Sequence, residues 1–194
     1  MPLGDNHPNS VVFVCEERRE RRVPVGTAFL VAMPPESGSW RYAVTARHVV
    51  EHGRPTWIRL RQRDGTPPVD ISVPDWIQHP TADVAVAAVD LDASDLVATF
   101  ITTESFADRW GEKHRVPIQV GDSIFVIGLL SDLGSMVDQS IPMVRAGLLG
   151  ALDQTGIPVR QGKFRRIEPR AHLIDAHSRS GFSGAPCIVE APHC

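Results

Sequence analysis

Long hydrophobic runs are missing from this 194-residue chain. None approaches the roughly 18 residues that a membrane-spanning helix needs, so no such helix is predicted. Cysteine is scarce. Cys15, Cys187 and Cys194 form an odd set without a CxxC pair, which argues against a disulfide framework and against a zinc knuckle. Lysine is scarcer still, at 2 residues against 18 arginines, a bias that points to no mechanism. The opening stretch MPLGDNHPNS lacks the basic and apolar regions of a secretory signal. Together with the cysteine usage, this sets the expectation of a cytoplasmic protein. No charge of one sign dominates: the net charge is −3 and the pI about 6.2. Whole-chain electrostatics therefore do not favour nucleic acid as a partner.

What is present fits a folded globular chain. Hydrophobic residues make up 42%, charged residues 22%, and the mean hydropathy is −0.10, far from the composition of a disordered chain. Glycine and proline are frequent and evenly spread, and short runs rich in valine and isoleucine lie between them. These runs cover residues 11–15, 23–33, 41–45, 56–61, 69–73, 83–90, 123–130, 143–149, 171–174 and 186–189. Most are four to eight residues long, several alternate with period two, and turn formers bound them, so they read as about ten strands of an all-β sandwich or barrel. Helical signal is thin. Residues 46–52 can form a turn or two before Gly53 and Pro55, and 94–100 and 103–110 are weaker candidates. Residues 131–142 and 153–170 read as loops. The second carries Arg160, Lys163, Arg165, Arg166 and Arg170, a solvated basic cluster. The strand pattern lapses between about 91 and 119.

Three short motifs carry chemistry. Gly181-Phe182-Ser183-Gly184-Ala185-Pro186 places a serine between glycines. Such a turn exposes the hydroxyl and lets neighbouring N–H groups converge, since glycine tolerates unusual φ/ψ at no steric cost. It is also what a plain glycine-rich turn looks like. Thr45-Ala46-Arg47-His48-Val49-Val50 sets a histidine at the end of a strand, where its near-neutral pKa suits a general base. A lone histidine is more often only a satisfied surface or core residue. His79-Pro80-Thr81-Ala82-Asp83-Val84-Ala85-Val86 opens an apolar strand with a carboxylate, an uncommon strand residue that wants a partner. Asp75 and Asp90 are alternatives for the same role.

The order His, Asp, Ser on an all-β background, with Gly26-Thr27-Ala28-Phe29-Leu30-Val31 before the histidine and Val120-Gly121-Asp122-Ser123-Ile124-Phe125-Val126-Ile127-Gly128 between the last two motifs, resembles the trypsin-like, chymotrypsin-fold serine peptidases, in particular their compact bacterial members. The resemblance runs from about residue 11 to 190. It implies two antiparallel six-stranded β-barrels with the site in the cleft between them: an N-terminal barrel over 10–92, a connection over 93–115 and a C-terminal barrel over 116–194. It implies a Ser-His-Asp triad of Ser183, His48 and Asp83, an oxyanion hole from the Gly181 and Ser183 backbone, a substrate pocket near His177 and Ser178, a protein or peptide substrate, no cofactor and no metal.

Two departures stand out. Phe182 occupies the place where many activated relatives carry an aspartate that pairs with a newly cut N-terminus, so the hole must be shaped in another way. Only eleven residues follow Ser183, so the second barrel is expected to be incomplete, with an open edge. That edge keeps a second reading alive: a catalytically impaired β-barrel module that binds peptides or partner proteins. A third reading comes from His48-Val49-Val50-Glu51-His52, which spells HxxEH, a zinc pattern on a helix. Gly53 and Pro55 would end that helix at once.

Overall fold

The computed structural model describes residues 7–34, 40–54, 56–92, 94–107, 117–130, 140–156, 159–161, 165–167, 170–177 and 180–190. Its strands are β1 (Val11–Arg18), β2 (Arg21–Ala32), β3 (Arg41–Thr45), β4 (Thr56–Leu60), β5 (Val69–Val73), β6 (Ile77–Gln78), β7 (Ala85–Ala88), β8 (Ile101–Thr102), β9 (Ser123–Leu129), β10 (Pro142–Gln154), β11 (Val159–Gln161), β12 (Arg165–Ile167), β13 (Ala171–Asp175) and β14 (Cys187–Val189). One helical turn, α1 (Arg47–Val50), follows β3. No described helix is long and apolar enough to cross a membrane.

The first sheet has the order β5-β4-β1-β2-β3-β7-β6, with β8 added in parallel to β2. It begins with a tight hairpin. Arg19 and Glu20 between β1 and β2 both have positive φ, 50° and 64°, the backbone twist that suits a two-residue connection. In β4 the buried residues are Thr56, Ile58 and Leu60, every second position, as period-two patterning demands. Ile58 and Leu60 meet Val12, Val14, Leu30, Ala43, Val73, Ala85 and Ala87 in one core, where burial of each large aliphatic side chain contributes about 1.5–3 kcal/mol.

The second sheet has the order β13-β10-β9-β14, and β11 pairs with β12 as a separate hairpin. Ile127 and Leu129 of β9 are fully buried against Val11, Phe13 and Cys15 of β1, with Trp57 and Ile188 alongside. This seam joins the two sheets. Burial there drives the Cys15 thiol up to about 12, so it stays an uncharged packing group at neutral pH.

The all-β class and the double-barrel character follow the sequence reading, and the second unit is open: among the described residues neither β13 nor β14 has a further strand beside it. Local details differ. The helix expected over 46–52 is a single turn ending at Val50, with Gly53 at φ 62° beyond it. Residues 94–100 are not helical, and 103–110 contributes a 3-10 turn, Thr103–Ser105. Residues 153–170, read as loop, contain the β11–β12 hairpin; its short strands VRQ and RRI lack the apolar alternation that marks a half-buried strand.

Candidate active site

β3 ends at Thr45, and Ala46 stays extended (ψ 137°) before α1 turns His48 out of the sheet. Asp83 arrives from the loop between β6 and β7. That loop is closed by the His79 N–H donating to the Val84 carbonyl at 2.8 Å. The His79 ring then braces it from within, since Nδ1 accepts the N–H groups of Thr81 (3.3 Å) and Ala82 (2.9 Å). Arg47 donates to the His79 carbonyl at 3.0 Å and so ties the loop to α1.

The two elements meet at one carboxylate. His48 Nδ1 lies 2.7 Å from Asp83 Oδ2, and the His48 backbone N–H donates to Oδ1 at 3.0 Å. The second bond satisfies an N–H that a short helix leaves without an internal acceptor. With both oxygens engaged, the carboxylate is fixed, and a neutral imidazole donates from Nδ1 while Nε2 keeps its lone pair. The hydrogen bond to Asp83 raises His48 above its ordinary value of 6.5. Burial works against that shift, and the charges of Asp83 and Glu51 add to it. Neither Asp75 nor Asp90 bonds to His48.

The serine turn comes from the second half of the chain but is fastened to the first sheet. The N–H of Thr27 in β2 donates to the Ser183 carbonyl at 2.8 Å. The Thr27 hydroxyl donates to the Gly181 carbonyl at 2.6 Å and accepts the N–H of Leu129 in β9 at 3.1 Å. The Thr27 carbonyl in turn accepts the Thr45 hydroxyl at 2.6 Å. One fully buried threonine thus connects the strand leading to His48, the serine turn and the second sheet.

Close packing brings the turn to the histidine's own segment. Gly184 has φ 86°, and a Cβ there would collide with the Thr27 carbonyl and the Thr45 hydroxyl and lie 2.9 Å from the Ala46 nitrogen. Only glycine fits at that place. Ser183 therefore stands against the segment that carries His48, two residues beyond Ala46. Among the described residues Ser183 Oγ and His48 make no hydrogen bond; such contacts are often long in unliganded sites and tighten with substrate. Gly181 has φ 97°, and among the described residues its N–H and that of Ser183 donate to no acceptor. Two such N–H groups beside a serine are what an oxyanion requires.

Of the expected pocket residues, His177 is exposed on the segment after β13, and Ser178 lies outside the described residues. The HxxEH pattern does not form a ligand face: α1 stops at Val50, before Glu51 and His52, and Asp83 takes the Nδ1 edge of His48. The roles of Thr27 and His79 escape sequence reasoning; Phe182, which stood out as a departure, has its ring packed under Arg145. The glycine-threonine pair at 26–27 inside a strand was a signal for Thr27, because a Cβ at Gly26 would meet the Ser183 carbonyl at 3.1 Å.

No family model and no curated protein matches the chain. Solved structures do. The MamO protease domain from Magnetospirillum magneticum, in its apo form, matches 96% of this chain and 82% of its own at 18% identity and a TM-score of 0.66. Deg5 matches 95% and 76% at 18% identity and 0.58. The Rv3671c protease from M. tuberculosis, in its active form, matches 96% and 68% at 20% identity and 0.58. The chain therefore has the chymotrypsin-like double-barrel fold of the trypsin-like, HtrA/Deg-type serine protease domains.

Proposed function

We propose that this protein is a serine endopeptidase that hydrolyses peptide bonds of protein or peptide substrates through an acyl-enzyme, using His48, Asp83 and Ser183. The observation that carries the reading is the short His48–Asp83 pair beside a serine turn fastened by Thr27. His48 Nε2 takes the Ser183 hydroxyl proton as Oγ adds to the scissile carbonyl. The oxygen of the tetrahedral intermediate takes its negative charge into the N–H groups of Gly181 and Ser183, and one such donor typically lowers a barrier by about 3 kcal/mol. The imidazolium, stabilised by Asp83, hands its proton to the leaving amine. Water then attacks the ester with His48 again as base. These groups supply every proton and charge the reaction needs, so no cofactor enters. His177, and Ser178 beside it, would border the side chain preceding the scissile bond, and the limits 10–92, 93–115 and 116–194 would divide the chain into the two barrels and their connection.

Fluorophosphonate labelling tests this directly. The wild type should take up one equivalent at Ser183, and Ser183→Ala should take up none while unfolding at the same temperature. A wild-type protein that stays unlabelled contradicts the reading. Among the described residues no further strand lies beside β13 or β14, which favours one alternative, a catalytically impaired module that adds an extended peptide to a sheet edge. Peptide binding without labelling would select it.

A further inference from the structure

The turn that presents Ser183 is gripped on its far side by a stack of three residues. Phe182 is 7% exposed. Its ring covers the backbone of Gly128 in β9 so closely that a Cβ at Gly128 would lie 2.7–3.0 Å from ring atoms. Arg145 of β10 holds its guanidinium 5.5 Å from the ring centroid. The strand register explains the arrangement. Met143 pairs with Gly128 and Arg145 with Val126, so Arg145 and Gly128 share one face of the sheet at diagonal positions, and the ring bridges them. Glycine at 128 gives the ring a flat seat that any side chain would remove.

Among the described residues the buried Nε of Arg145 has no acceptor, and Nη2 donates to the Met143 sulfur at 3.8 Å, a weak acceptor. Among the described residues no carboxylate pairs with Arg145. The face of an aromatic ring carries negative charge density, so the Phe182 ring is a favourable neighbour for this half-buried guanidinium.

We propose that Gly128, Phe182 and Arg145 form a built-in latch that holds residues 181–184 in the conformation leaving the Gly181 and Ser183 N–H groups free for an oxyanion. Arg145 and Phe182 are positioning residues, acting through the turn. The latch belongs to the folded chain and needs no ion pair to a cut terminus, the device the resemblance would otherwise supply at Phe182. Its consequence for catalysis rests on the peptidase reading; the packing of the turn does not.

The test has two readouts on the full chain. Amide hydrogen exchange of the segment 180–185 reports the turn itself, and the rate of fluorophosphonate reaction at Ser183 reports the oxyanion site. Arg145→Gln should speed exchange in that segment and slow labelling about fivefold, the scale of one cation–π contact, with exchange in β1–β5 unchanged. Arg145→Lys, which keeps a cation over the ring, should recover part of both. Phe182→Leu keeps apolar bulk but loses the ring face, and should exceed Arg145→Gln in both readouts. Unchanged exchange at 180–185 in both Arg145→Gln and Phe182→Leu overturns the latch. If the wild type is never labelled, the peptidase reading falls, and exchange alone still decides the latch.

Discussion

The two sheets differ in how they treat their apolar surface. In the first, Val12, Leu30, Ile58 and Leu60 are at most 2% exposed. In the second, Val144, Leu148, Leu173 and Ile174 of β10 and β13 are between 39% and 51% exposed. The first sheet buries one continuous apolar core and carries His48 and Asp83 on the connections that follow β3 and β6. The second is an open layer anchored by Ile127 and Leu129 to β1. Its serine turn is secured by Thr27 and by the ring of Phe182. The His48–Asp83 pair and the turn that carries Ser183 therefore depend on different kinds of support, and substitutions can separate the two.

The largest effect should come from the pair. Asp83→Asn should slow reaction at Ser183 by about 10⁴, the loss that the same change causes in the Ser-His-Asp template. The pH profile should shift with it. Asp83 raises the His48 value, so in the wild type the base is lost as pH falls through a point above 6.5. In Asp83→Asn that limb should move to lower pH. The raised value has a second sign: the pair contributes stability fully below the unfolded value of about 6.5, and this is lost as pH rises through the folded value. Thermal melts of the wild type and Asp83→Asn across that interval check it.

Next, Leu30→Ala should cost about 2–5 kcal/mol of unfolding free energy, as for other fully buried leucines, measured by urea denaturation. Thr27→Val preserves shape but removes a hydroxyl with two partners in the turn and β9. It should cost about 1–3 kcal/mol and also slow labelling, because the Gly181 carbonyl is released. The smallest effect should be Leu148→Lys in the open sheet, within about 0.5 kcal/mol of wild type. A large loss there would mean that the face of β10 is covered in solution and that the contrast between the sheets is wrong.

The His48 and Asp83 motifs were legible because their chemistry is unusual for their setting: a carboxylate at the mouth of an apolar strand and a histidine just past another. Ser183 was legible through its glycines. Thr27 was hidden because a threonine inside a strand looks like any β-branched residue, and its hydroxyl matters only through contacts with residues 102 and 154 positions away. Phe182 stood out as a departure, but its stacking with Gly128 and Arg145 was hidden, because only the register of β9 and β10 aligns them. β6 and β8 were not foreseen because two residues cannot display a period.

The central claim is that an imidazole from the first sheet and a hydroxyl from the serine turn act on one substrate carbon. A peptidyl chloromethyl ketone measures this in a single step, because attack by Ser183 delivers the alkylating carbon to the nearest imidazole nitrogen. Peptide mapping by mass spectrometry should find His48 alkylated among the eight histidines, and Ser183→Ala should abolish that modification. Alkylation spread over exposed histidines, or at His48 regardless of Ser183, would contradict the account.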